Sequence, residues 1–211
     1  MYINTRAIRT IIIIISMSVF MIAQAGTQTP NDILADWQGT FINRSFVNEK
    51  TEMDTVYRKV AVEAQKQGKR YTAGQVKQYF REMGPTSFDK LSITGDTIRF
   101  YSKGGKEVTH QYKALGTVPD IYGDYKFEWY SFQAKEKGVE DSEYRYVILL
   151  KIHEHKNGQP HFHIRYGNKG VKELTGLGGM KNWWPTMVRP DFDIPTYINN
   201  VNPKMMVKVL P

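Results

Sequence analysis

Between residues 88 and 166 the chain alternates apolar and polar side chains at a period of two, interrupted by short turn sequences. Leu91 and Ile93 alternate with polar neighbours, Thr94-Gly95-Asp96 turns, residues 98–101 return, and Ser102-Lys103-Gly104-Gly105-Lys106 turns again. Val108, His110 and Tyr112 share one face of the next strand; residues 126–132 and 144–152 add two long strands, and 161–166 follows. Successive side chains of a strand leave opposite faces, so each run offers one face to a core, and the short turns permit only antiparallel neighbours. The pattern predicts an antiparallel meander, as a barrel or sheet, within one domain over residues 26–211.

Helical signals lie ahead of the meander. Asn31 or Asp32 offers a cap for a short helix toward Trp37, and residues 37–41 read as the start of a first strand. Asp54 is placed to cap a helix reaching about Gln67 and stopped by Gly68. Thr72 and Gln75 form a capping box for a second helix, whose Val76, Tyr79, Phe80 and Met83 make one stripe before Gly84-Pro85. Both helices are expected to lie over the barrel or sheet. Asn168-Lys169-Gly170 ends the meander, leaving residues 171–211 as short irregular or helical pieces.

Arg6 and Arg9 precede an apolar run over residues 11–22 that ends in Ala23-Gln24-Ala25, which reads as a signal peptide over residues 1–25. The run is short for a bilayer span, so the mature protein is expected to be secreted or periplasmic with no stable membrane insertion. Losing Arg6 and Arg9 takes the formal charge from +8 to +6. The basic residues are scattered, without a recognition helix or RNP-type motif, so no nucleic-acid partner is expected. The chain has no cysteine, which excludes disulfides, cysteine zinc fingers, thiol nucleophiles and a lipidated leader. Any metal site must use nitrogen and oxygen ligands.

Four of the five histidines fall within residues 153–163. His161 and His163, two apart in a strand-like run, leave the same face. Lys156-Asn157-Gly158-Gln159 is a turn signal that returns His153 and His155 beside them. Parity governs the outcome. A two-residue Asn157-Gly158 turn would set Glu154 opposite His161 and send His153 and His155 to the far face, whereas an odd-length loop or a bulge gathers all four rings. Pro160 favours the irregular connection, with His155 then facing His161 and His153 facing His163. Neutral imidazoles suit zinc, nickel, copper(II) and iron(II), and three of them with an open position suit zinc well. The competing reading is a solvated, histidine-rich hairpin tip. His110 reads as a satisfied core histidine, Glu154 as a surface charge, Met205-Met206 as packing, and Trp183-Trp184-Pro185-Thr186 as an aromatic plug at a barrel end.

His161-Phe162-His163-Ile164 with Gly167-Asn168, followed by Trp184-Pro185-Thr186, resembles the YodA/ZinT family of lipocalin-like zinc-binding proteins of bacterial envelopes. Leu34-Ala35-Asp36-Trp37 with Gly39 and Phe41, and the residues from Val76-Lys77 and Tyr79-Phe80 through Met83-Gly84 to Ile93, Gly95-Asp96, Ile98 and Phe100, agree with it, so the likeness spans residues 31–191. It implies a mainly β fold: a lipocalin-like (calycin) antiparallel barrel with N-terminal helices packed on it, holding one zinc or cadmium ion near the barrel mouth, with nickel also admitted. By position the ligands are His161 and His163 with His153 from the preceding strand. The spacing from His153 to His161 is one residue shorter than in the family, which makes His155 a rival third ligand. The histidine-rich segments and the disulfide of some members have no counterpart here.

The resemblance implies an extracytoplasmic protein that binds zinc or cadmium, without enzymatic activity, and that buffers the metal or passes it to the binding protein of a metal importer. Two alternatives stand beside it. One is a barrel carrying a small apolar ligand among Tyr112, Phe127, Trp129, Tyr130 and Phe132. The other is a three-histidine metallohydrolase, for which the sequence offers no evident general base beside the cluster.

Overall fold

The structure is a computed structural model that describes residues 33–154 and 158–211; the expected leader, Asn31, Asp32 and His155 lie outside the described residues. Eight antiparallel strands close a barrel in chain order: β1 (Gly39–Asn43), β2 (Lys90–Thr94), β3 (Thr97–Tyr101), β4 (Glu107–Tyr122), β5 (Tyr125–Ala134), β6 (Tyr146–Leu149), β7 (His161–Gly167) and β8 (Thr186–Val188). The alternation in sequence becomes alternation in space. Phe41, Leu91, Phe100, Phe132, Phe162 and Ile164 point inward and are almost wholly buried.

Two strands extend what the sequence pattern indicated. β4 continues to Tyr122 through a bulge at Leu115, where Gly116 adopts φ +95°, so its second half presents the opposite parity to the core. β8 has three residues between Pro185 and Pro190, too few for a period to register, yet it closes the barrel by pairing His161 with Val188 on one side and Ile42 with Val188 on the other. Closure gives every strand a neighbour on each side, while β4 and β5 run on together beyond their other partners.

The barrel interior is filled. Trp37 inserts with its Nε1 donating to the Leu150 carbonyl at 2.8 Å and packs edge-on against Tyr130 and Phe132. Tyr112, Tyr130 and Phe132 thus belong to this packed interior. Phe127 and Trp129 do not: they lie on the outer face, in a separate cluster with Ile148 and Leu174.

The helices α1 (Met53–Lys66) and α2 (Ala73–Met83) build a second core with the C-terminal helices α3 (Ile194–Asn200) and α4 (Pro203–Val209), through Met53, Val60, Val76, Val207 and Leu210. The capping box of Thr72 and Gln75 opens α2 as read. Asp54 does not cap α1; it sits in the first turn and pairs with Lys77 at 2.8 Å, tying the two helices together. Gly68 follows the helix at φ +77°, as a stop requires. No helix among the described residues is long and apolar enough to cross a membrane.

Phe100, 1% exposed, stacks on Tyr144 with centroids 4.1 Å apart. Phe100→Ala is expected to cost about 3–5 kcal/mol in urea unfolding; a loss below about 1 kcal/mol would contradict a close-packed interior.

Candidate metal centre

The ladder between β6 and β7 pairs Tyr146 with Gly167 through Leu149 with Ile164, and Leu150 N still donates to His163 O at 3.0 Å. Continued unchanged, that register would bring Ile152 opposite His161 and turn His153 to the far face. The chain inserts a bulge instead. His153 and His161 form an isolated antiparallel bridge, exchanging N–H···O bonds of 2.9 and 3.0 Å, so Lys151 and Ile152 together stand opposite Phe162. Parity flips, and His153 joins the face of His161 and His163. The irregularity is thus the bulge that the sequence allowed, and His153 pairs with His161 rather than with His163.

The three rings converge. Centroids are 4.4 Å apart for His153 and His161, 5.5 Å for His161 and His163, and 5.6 Å for His153 and His163. One ligand nitrogen from each lies within 4.8 Å of the other two. Since Phe162, Ile164 and Tyr166 fill the barrel, the alternate residues His161, His163 and Arg165 project from its outer wall, at the end where β6 has stopped.

Hydrogen bonds at Nδ1 orient each ring. His153 Nδ1 bonds to the Lys151 carbonyl at 2.8 Å and His161 Nδ1 to the Gln159 carbonyl at 2.9 Å. A carbonyl only accepts, so in both neutral rings Nδ1 carries the proton and Nε2 the lone pair. His163 Nδ1 lies 3.2 Å from Thr186 Oγ1, which donates to the Trp184 carbonyl at 3.2 Å and so accepts from the imidazole. Burial, reinforced by the neighbouring His161, His153 and Arg44, holds the His163 pKa well below the usual imidazole value. It is a neutral donor at physiological pH.

Three Nε2 donors fit zinc. Tetrahedral bonds of about 2.0–2.1 Å place ligand nitrogens roughly 3.4 Å apart, and ring rotation spans the difference from the 4.8 Å bound. Hydrogen bonds from Nδ1 to carbonyl or hydroxyl oxygen are the outer shell that such ligands use. Among the described residues no carboxylate joins the group, and Glu154 is exposed.

Trp184 closes the site from outside, its ring edge-on to His163 at 5.5 Å and stacked on Trp129 at 5.7 Å. It covers the barrel wall and does not plug an end. Trp183 turns the other way, packing on Tyr166 at 5.0 Å and donating to the Pro85 carbonyl at 2.7 Å. Beneath Trp184 lies Arg165, paired with Asp120 at 3.5 Å, both 0% exposed. Burial draws the guanidinium down to about 10, leaving it charged. Burial raises the Asp120 pKa, yet hydrogen bonds from Gly176, Trp129, Ile121 and Leu177 outweigh it and keep the carboxyl below its ordinary range.

Thr186, Asp120 and Arg165 escaped the sequence reading as parts of the site. Arg165 left a usable signal: it shares strand parity with His161 and His163, and a charge on a buried face requires a partner. Elsewhere, His110 is 6% exposed, with Nε2 3.1 Å from Ser142 Oγ and Nδ1 3.3 Å from Glu136. Met206 packs on the helical core, whereas Met205 is 56% exposed.

The family profile for ZinT (YodA), periplasmic lipocalin-like zinc-recruitment, matches residues 18–200. The fold is similar to Zn(II)-bound AdcA from Streptococcus pneumoniae, at 22% identity and a TM-score of 0.61, over 82% of this chain and 35% of that one. It is similar also to the Zn(II)-bound ZinT-like domain of Streptococcus pneumoniae AdcA, at 22% identity and a TM-score of 0.57, over 83% of this chain and 87% of that one. The chain thus spans about a third of the length of AdcA. No curated protein matches. With a profile matched over most of its length and a closed eight-stranded barrel, the chain belongs to the ZinT (YodA) family of lipocalin-like zinc-recruitment proteins.

Proposed function

We propose that this protein captures one zinc ion outside the cytoplasm through His153, His161 and His163 and passes it to the binding protein of a metal importer. The observation that carries this reading is the convergence of three imidazoles, each with Nδ1 hydrogen-bonded so that Nε2 is left with the lone pair a metal needs. The zinc-bound neighbours support the choice of metal. Nitrogen-only donors also accommodate cadmium and nickel. Hand-over is supported by unequal burial: His161 is buried, whereas His153 stands partly exposed beyond the end of β6, where it can release the ion first. The leader over residues 1–25 supports the location.

Native mass spectrometry of untagged protein is expected to show one zinc per chain. The double variant His161→Ala, His163→Ala should weaken zinc binding by about 100-fold or more; retained stoichiometry and affinity would reject the ligand set. Zinc must compete with protons for its imidazole ligands, so affinity falls as the solution is acidified. In the metal-free protein, the unfolded chain protonates at position 163 near 6.5 before the folded one does. Its contribution to stability is therefore full above that pH and is lost below it. Urea midpoints at falling pH should decline for the wild type and decline less for His163→Asn.

A further inference from the structure

The fully buried pair Asp120 and Arg165 grips one segment, residues 171–184, at several points. Arg165 Nη1 donates to the Leu174 carbonyl and Nε to the Trp183 carbonyl, each at 2.8 Å. Asp120 accepts from Gly176 N at 2.7 Å and Leu177 N at 3.1 Å, and from Trp129 Nε1 at 2.9 Å. The segment is shaped for this grip. A Cβ at Gly176 would lie 3.1 Å from Asp120 Oδ1, and one at Gly178 would collide with the Lys172 carbonyl at 1.9 Å. Arg165 also lies against both Trp129 and Trp184, its guanidinium carbon 4.9 and 4.4 Å from their ring centres.

Stability is a weak reason for such an arrangement. A buried ion pair costs heavily in desolvation, and well-packed apolar residues often replace one without loss. Here Arg165 Nη2 has no hydrogen-bond partner among the described residues, which adds to the cost. What the pair achieves is placement. The clamped segment ends in Trp184, edge-on to His163, and leads directly to Thr186, which receives the His163 Nδ1 hydrogen bond.

We infer that Asp120 and Arg165 are positioning residues that clamp residues 171–184 over the outer barrel wall, so that Trp184 and Thr186 fix the His163 ring and shield the ion, setting how fast zinc leaves. The inference rests on the proposed zinc function and deepens it: release requires this cover to shift, and the clamp that holds it supplies no ligand itself.

The test compares wild type, Asp120→Asn and Trp184→Ala with Val60→Ala, a buried substitution in the helical core remote from the segment. Each is loaded with zinc and mixed with excess chelator to follow release, then loaded with cobalt(II) to record the visible spectrum of the site. Asp120→Asn and Trp184→Ala should still bind one metal per chain, release zinc roughly tenfold faster or more, and show altered cobalt spectra. Val60→Ala should lower the urea midpoint yet keep the wild-type release rate and spectrum. Should Asp120→Asn fail to fold, Trp184→Ala carries the test alone, since it removes the cover and leaves the ion pair. Wild-type release and spectra in the clamp variants, or equal acceleration in Val60→Ala, would overturn the inference while leaving the zinc function intact. A wild-type protein that binds no zinc would overturn both.

Discussion

Strand parity at one point of the β6–β7 ladder decides whether this molecule can hold an ion. Up to Leu150 the two strands pair in a register that fills the barrel with Val147, Leu149, Phe162 and Ile164. Had the register persisted, the next available imidazole would have pointed to the opposite face. The bulge at Lys151 and Ile152 shifts the pairing by one residue and places His153 across from His161. The register that packs the interior and the one that gathers the rings are incompatible in a regular sheet, and an extra residue reconciles them. Bulges next to binding sites commonly serve to re-aim a side chain in this way.

The site sits on a wall rather than in a lumen, and this follows from the same geometry. The interior of an eight-stranded barrel is just wide enough for side chains to fill, and here Trp37, Tyr112 and Phe132 fill it. The three converging imidazoles occupy the outer surface of β7, where water has to be excluded by another part of the chain. Residues 171–185 provide that cover. Their path is held by a buried charge pair, which is costly, and by glycines at which a side chain would clash. The neutrality of His163 comes from this covering: burial and adjacent imidazoles disfavour its protonated form, the state a metal ligand must avoid.

Much of this was legible in the amino-acid sequence. Period-two alternation marked β2, β3 and the first half of β4, the Thr72-to-Gln75 spacing marked α2, and His161 with His163 declared a shared face. Pro160 pointed to an irregular pairing of the two histidine-bearing segments, although not to where the extra residue would fall, because a local pattern fixes parity within a strand and not between strands. β8 was invisible for a simpler reason: three residues between two prolines carry no period, and only closure against β1 and β7 makes them a strand. The outer position of Trp129 and Trp184 depends on which face of β5 meets the interior, which long-range pairing decides. The partnership of Asp120 with Arg165, 45 residues apart in the numbering, belongs to the same class.

X-ray absorption spectroscopy of the zinc-loaded, untagged protein examines the central claim most directly. Convergence of His153, His161 and His163 requires a zinc shell with three imidazole nitrogens at about 2.0–2.1 Å and one further light donor. A shell with no more than one imidazole, or one dominated by carboxylate oxygen, would contradict it.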